Sequence, residues 1–402
     1  MPEERVSPLQ DQDGTLVVTV RSLRELIDAA TGRTIDSNLP REESSGLAES
    51  LPFPFLAFVG QMEMKLALLL CVINPLVGGV LLLGPRGTGK TTLARSLVDL
   101  LPKVERSLCF YGCLPEDVAA GGLDAVCPDC ARKFGEGIPL TRPDSVRLVE
   151  LPLNALLDDV IGGVDDRAAE HERMRLRRGI LAQADMNLLY ADEVNLLQDD
   201  VVNAILDAAA AGAYTVRRGA VAVAYRSRFS LIGSMNPEEG RLRPQILDRF
   251  GLRVIVRGLD NPNERYEAYL RSRAYRLNPR GLVNQLMQET LLAREEIQAA
   301  RKSCPAVEIP PEVAHTGSAL VQSLGIDSLR AEMTLFEAAR AYAAADSRRV
   351  VGTADLRAVA PMALRLRRST YMLQYFKETA VEDAELTREI DTHLPATEEN
   401  HA

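Results

Sequence analysis

The stretch GPRGTGKT, residues 84–91, has the spacing of a phosphate-binding loop, G-x-x-x-x-G-K-[ST]. Gly87 and Gly89 allow backbone N–H groups to turn inward around phosphate oxygens. Lys90 can reach the terminal phosphates, and the Thr91 hydroxyl can ligate Mg²⁺. Gly84, Pro85, Arg86, Thr88 and Thr92 complete the predicted nucleotide-contacting set. Hydrolysis needs two more groups, and LLYADE at 188–193 supplies both. Asp192 is suited to the Mg²⁺ shell, and Glu193 to polarising the attacking water. Asn236, in SMNPEEG, could orient that water, or it could simply form the turn before Pro237. Arg249, in LRPQILDRFG, cannot deprotonate and could stabilise charge on a transferring phosphoryl group. Its alternative is a surface arginine paired with Asp248, and spacing does not separate the two.

Four of the six cysteines form a second constellation, Cys109, Cys113, Cys127 and Cys130, spaced C-x3-C and C-x2-C. Two close pairs of thiolates suit tetrahedral Zn²⁺. A C-x-x-C redox pair at Cys127 and Cys130, or four free thiols, are the other readings. No histidine lies nearby in sequence, and Cys71 and Cys304 read as isolated core cysteines.

These groups require a parallel-sheet scaffold to position them. VLLL (80–83), MNLLYADE (186–193) and RFSLIGSMN (228–236) read as buried strands. Helices are predicted over 61–73, 91–101 and 201–212, the last with a glycine stop, so the phosphate loop ends on a helix dipole's positive end. YTVRRGAVAVAY (214–225) alternates around Arg218 and Gly219 as a hairpin does. Residues 103 to about 178 read as less regular and hold the cysteines. The chain is then predicted to be helical from 261. The fold class is therefore α/β: a P-loop domain with a central parallel sheet, followed by a smaller all-helical lid. The predicted boundaries are an extension at 1–50, an ATPase domain at 51–260 with a cysteine-bearing insertion at about 107–135, a helical linker and lid at 261–374, and an acidic tail at 375–402.

The chain has 402 residues and a formal net charge of −9. That charge weighs against non-specific nucleic-acid binding. Arg217, Arg218, Arg226 and Arg228 around the hairpin are what a nucleic-acid reading would use. RAAEHERMRLRR, 167–178, reads as a solvated or inter-subunit helix. The uncharged run 66–84 approaches a spanning length, but Asn74-Pro75 and Gly78-Gly79 divide it into a helix end and a strand. With no secretory signal pattern, a cytoplasmic location is expected.

Taken together, FPFLAFVGQMEMKLALLL, the phosphate loop, YADEVNLLQDDVVNAILDAAAAG, SMNPEEGRLRPQILDRFG and GIDSLRAEMTLFEAARAYAA resemble the AAA+ motor subunit of magnesium chelatase, subunit I, over about residues 53–368. The resemblance implies an ATP-hydrolysing ring, usually a hexamer, with ATP and Mg²⁺ bound between protomers. It makes Lys90 and Thr91 Walker A, Asp192 and Glu193 Walker B, Asn236 sensor 1, Arg249 the finger given to the next protomer, and Arg330 sensor 2. It sets Val59 and Gly60 beside the adenine. It implies two partners: a von Willebrand A domain protein of the chelatase D type and a porphyrin-binding large subunit. ELPLNALLDDVIGGVDD lies where the family carries its helix-2 insertion, and the hairpin precedes sensor 1. Pro85 replaces the aspartate common in photosynthetic subunits, and LPLNALLDDV departs from their LPL-x-A-T-E-D-R-V. Two other readings stand beside the chelatase motor: a MoxR-like chaperone ATPase with a von Willebrand A partner, and a nucleotide-gated scaffold. The chain lacks D-x-S-x-S, so it is not the second chelatase subunit.

Overall fold

Every residue of VLLL is buried, and the run forms β1, Val80–Leu83. The other strands are β2 Val104–Ser107, β3 Thr141–Asp144, β4 Leu148–Leu151, β5 Leu188–Ala191, β6 Ala213–Arg218, β7 Val221–Arg226, β8 Ser230–Met235 and β9 Leu252–Ile255. The computed structural model describes residues 51–109, 111–163, 178–218, 221–240 and 242–368, with 379, 383–386 and 388–389 beyond them. The extension at 1–50, most of the basic stretch 167–178 and most of the acidic tail lie outside the described residues.

Five strands form one sheet in the order β4-β5-β8-β1-β9. Every pairing within it is parallel. Leu83 aligns with Met235 and Ile255, and Ala191 with Gly233. The carboxyl ends of β1, β5 and β8 therefore reach one rim, where open α/β sheets bind ligands. β2 pairs antiparallel with β3, and β6 with β7 as the predicted hairpin.

Side chains alternate between the sheet's two faces. Val80 and Leu82 join a core with Met64 and Leu68 of α1, Met62–Ile73, and Leu93 of α2, Lys90–Ser96. Leu81 and Leu83 face the opposite core, with Val201 and Ile205. The insertion carries α3 Pro115–Gly121 and α4 Pro128–Gly135. The helices α5 Leu157–Ile161, α6 Ile180–Gln183, α7 Asp199–Ala211 and α8 Pro244–Arg249 follow. Gly212 ends α7 with φ +67°, as its glycine stop predicted.

From Pro262 the described chain is almost wholly helical: α9 Pro262–Leu277, α10 Pro279–Gln285, α11 Met287–Ser303, α12 Pro311–Ser323, α13 Leu329–Ala345 and α14 Thr353–Leu364. Ala331, Leu335 and Ala338 of α13 and Val359 of α14 share the core of Val80 and Leu82. The alanines' small side chains let α13 approach closely.

Two details correct the sequence reading. Residues 103–178 are not simply irregular, because LVEL forms β4 at the sheet edge. An edge strand covered on one side has no continuous apolar signal, and only Leu151 of β4 is fully buried. The helix predicted over 91–101 is α-helical to Ser96 and tightens into a 3₁₀ turn over Leu97–Leu100. Within the run at 66–84 the break at Asn74-Pro75 is real. Among the described residues no helix is long and apolar enough to cross a membrane.

Candidate nucleotide site and cysteine cluster

The phosphate loop leaves β1 and runs into α2, as its motif requires. Gly87 and Gly89 take φ +77° and +84°, which side-chain-bearing residues rarely adopt. A Cβ on Gly84 would lie 2.1 Å from the Val256 carbonyl, and one on Gly89 2.5 Å from the Phe58 ring. Around Gly87 the space is open. This is a cradle lined by backbone, of the shape that phosphate oxygens need.

Lys90 is buried and donates to the Gly84 and Pro85 carbonyls at 2.7 and 2.8 Å. Burial lowers its pKa, while Asp192, Glu193 and Glu239 oppose that fall. The Thr91 hydroxyl lies 2.9 Å from the Tyr190 hydroxyl, which donates to Asp192 Oδ1 at 3.1 Å. Ser234 also donates to Asp192 Oδ1. Thr91 and Asp192 are thus joined through one phenol and present hard oxygen donors, the set that suits Mg²⁺.

Glu193 stands in the left-handed region, φ +47°. Its carboxylate meets Arg86 at 2.9 Å, and Arg86 also meets Glu239 at 2.7 Å. Asn236 donates to Glu239 at 3.0 Å and accepts from the Glu238 N–H at 3.3 Å. Asn236 therefore caps the turn before Pro237 and also stands at the rim with Glu193's partners. These contacts match the turn-forming reading of this asparagine.

A cavity of about 500 Å³ adjoins the loop and is lined by Val59, Gly87, Thr88, Gly89 and Thr92 together with Phe58. Gly60 makes the adjoining turn, φ +64°. Leu259 and, from α9, Arg265 and Ser272 close the far side. Sequence reasoning missed Phe58, Leu259, Arg265 and Ser272, which carry no motif. It also missed Tyr190 and Ser234. For Tyr190 a signal existed, since a residue two before Asp192 on a strand points the same way.

Arg249 and Arg330 do not line the cavity. Arg249 contacts Asp207 of α7 at 2.8 Å, not Asp248, so the predicted alternative pairing is not the one formed. Asp248 instead gathers Arg367 at 2.8 Å, Ser328 at 2.9 Å and Arg330 at 3.8 Å. Arg330 and Arg249 are thereby held around adjacent residues at the end of α8.

The four cysteines come together. Their sulfurs all lie within 4.8 Å of one another. Cys109 Sγ is 3.7 Å from Cys113 Sγ and 3.6 Å from Cys127 Sγ. All are free thiols, as are the buried Cys71 and Cys304. The Tyr111 N–H donates to Cys109 Sγ at 3.2 Å, and the Cys127 N–H to Cys113 Sγ at 3.4 Å. Burial pushes the Cys113 thiol up to about 11 and also raises Cys130. At Cys109 burial is outweighed by the Tyr111 and Cys113 N–H groups and neighbouring thiols, which bring it to about 7. Arg226 and Arg228, which a nucleic-acid reading would use, are paired with Asp117 and Asp185.

Comparison with known proteins places this geometry. The AAA lid domain family matches residues 314–390. The magnesium-chelatase 38 kDa subunit of Acidiphilium rubrum is 40% identical over 317 residues, covering 78% of this chain and 90% of that protein. A magnesium-chelatase subunit ChlI homolog of Methanocaldococcus jannaschii is 42% identical over 323 residues, 79% of this chain and 87% of its own length. A crystal structure of a candidate ATPase from Cytophaga hutchinsonii has the same fold at 19% identity, with a TM-score of 0.51 over 78% of this chain and 84% of that one. The family's ATPase implies ATP and Mg²⁺ as its cofactors. At 40 to 42% identity over most of their length and of its own, the chain belongs with these relatives to the magnesium-chelatase subunit I family of AAA+ ATPases.

Proposed function

We propose that this chain is the motor of a magnesium-chelatase-type complex, hydrolysing ATP in a homo-oligomeric ring of six in the cytoplasm. The observation that carries the reading is the shared rim: Lys90, Thr91, Asp192, Glu193 and Asn236 all follow β1, β5 or β8. Lys90 leaves its loop carbonyls for the terminal phosphates, and Val59 and Gly60 flank the base. Mg²⁺, held by Thr91 and Asp192, screens phosphate charge when bound. Glu193 polarises the water, and Asn236 orients it. Arg249 and Arg330, gathered around α8 rather than at the cavity, serve a neighbour's nucleotide as finger and sensor 2. The ring works on a von Willebrand A partner of the chelatase D type and a porphyrin-binding large subunit. To the nucleotide and Mg²⁺ we add a structural Zn²⁺ at the four cysteines.

Glu193→Gln tests the motor. ATP turnover should fall about 10²-fold or more, while binding of a fluorescent ATP analogue persists. Unchanged turnover would overturn the reading, and negligible turnover in the unmodified protein with its partners would favour the nucleotide-gated scaffold. The departure of LPLNALLDDV from the photosynthetic pattern supports a second reading, a MoxR-like chaperone ATPase for a von Willebrand A protein. Partners co-purified from the native host discriminate: a porphyrin-binding subunit favours chelation, and a von Willebrand A protein alone favours the chaperone.

A further inference from the structure

We propose that the zinc held by Cys109, Cys113, Cys127 and Cys130 anchors the β6–β7 hairpin to the insertion, with Asp117 as the link. The inference rests on the zinc reading above and adds a mechanical role to it.

Sulfur spacing supports the metal. Zn–S bonds of about 2.3 Å in a tetrahedron set sulfur–sulfur edges of about 3.8 Å. The separations from Cys109 to Cys113 and Cys127 are 3.7 and 3.6 Å. A disulfide would need about 2.05 Å. The N–H donors on Cys109 and Cys113 sulfurs are the outer-shell contacts that orient thiolate ligands. Gly112, at φ +77°, makes the turn between the first two cysteines. On binding, each ligating thiol gives its proton to solvent and its sulfur lone pair to the metal, with no change of oxidation state.

The insertion has little else to hold it. Among the described residues its core cluster has four fully buried members, Cys113, Val126, Cys130 and Leu140. Two of these are the proposed ligands, so the metal site and the core are largely the same object.

The link to the hairpin runs through the residue after Cys113. Leu114 caps α3, and its N–H donates to Asp117 Oδ2 at 2.8 Å. The other carboxylate oxygen of Asp117 accepts from Arg226 of β7. The pair is sheltered, Asp117 being 14% and Arg226 29% exposed. Gly112 also comes close to the Arg226 stem, since a Cβ there would lie 3.8 Å from it. On the other side, Ser107 of β2 donates to the Cys113 carbonyl at 2.6 Å and accepts from the Cys109 N–H at 3.1 Å. The knuckle is thus tied to β2 behind and to β7 in front. The hairpin needs such an anchor because, among the described residues, its apolar footing is a small cluster with Ala182, Val216 and Tyr225 fully buried and Ile161, Tyr214 and Val223 partly so. Without metal, the Cys113 end of α3 loses its fixed position, Asp117 moves with it, and Arg226 loses its partner.

The test uses the full chain. Elemental analysis of protein purified without added metal should give one zinc per chain. Hydrogen exchange of the β6–β7 amides is then compared in the unmodified protein, in protein stripped by a chelator, in Cys130→Ser and in Asp117→Asn. Stripping and Cys130→Ser should each speed hairpin exchange about tenfold, and zinc returned to the stripped protein should restore it. Asp117→Asn should keep its zinc and still exchange faster at the hairpin. An unmodified protein without zinc overturns the metal site itself. A protein that loses zinc with no change at the hairpin overturns the anchor and leaves the zinc reading standing. Should Cys130→Ser fail to fold, the stripped protein and Asp117→Asn still decide.

Discussion

The phosphate loop and the cysteine insertion are both short, glycine-bearing segments, yet they are held in different ways. The loop hangs between β1 and α2, and both are rooted in cores built from many buried residues on the two faces of the sheet. Its shape follows from neighbours that leave no room for a side chain at Gly84 or Gly89. The insertion's two helices, flanked by the β2–β3 pair, surround a core cluster with four fully buried members among the described residues. So small a core cannot offset the entropy of ordering its chain, and such modules usually rely on a metal or disulfides. The same polypeptide thus builds one site by burial and, on the proposed zinc reading, the other by a metal that crosslinks side chains.

The largest effect expected is at the proposed finger, which stands outside the cavity. Arg249→Ala should lower turnover about 10³-fold while leaving nucleotide binding by the isolated protomer intact, and mixed rings assayed for ATP hydrolysis should be poisoned. Retention of full activity would remove the finger from the proposed mechanism. Next is metal removal. Zinc-stripped protein, freed of chelator and assayed with Mg²⁺ restored, should be more open to proteolysis at the insertion while ATP turnover stays within a few-fold of its starting value. Turnover that collapses with the zinc would erase the distinction between the two regions.

A third site sets the scale for ordinary burial. Asp355 is 2% exposed and pairs with Arg348 at 2.6 Å. Burial works against its charge, but Arg348 and the Gly352 N–H outweigh it and hold the carboxyl below its usual value. The stability this supplies is therefore present above the ordinary carboxylate range and is lost as pH falls through the lowered value. Asp355→Asn should cost about 2 kcal/mol by denaturant titration, at the modest end for buried pairs because Arg348 is 39% exposed. Zinc content and turnover per folded molecule should not change. The smallest effect expected is from Tyr190→Phe, which removes the hydroxyl between Thr91 and Asp192. Turnover should fall about tenfold, or about 1.4 kcal/mol in barrier, and titration with Mg²⁺ should show the weaker metal dependence on that link.

The groups named from sequence were those whose chemistry needs fixed residue types at fixed spacing: glycines where φ is positive, a lysine for phosphates, acids at a strand end, paired thiols. Local apolar periodicity was enough for β1, β5, β8, α1, α7 and the hairpin. It was not enough for β4, whose Leu148 and Val149 are only partly covered at the sheet edge and whose Glu150 is exposed. Nor could it find Phe58, Leu259 and Arg265, ordinary residues brought to the cavity from segments far apart in the chain.

The sequence by itself determined the fold class and the phosphate loop, because each is a local pattern with a physical reason for its spacing; it left the four cysteines open between a cluster, a redox pair and free thiols. Only the tertiary structure decided who meets whom. Arg249 takes Asp207 rather than its neighbour Asp248, and Asp248 gathers Arg330 and Arg367. Asp117 caps its own helix and also reaches the hairpin. Such pairings depend on long-range packing, which brings together side chains 42 to 119 residues apart and leaves no periodic trace in the chain.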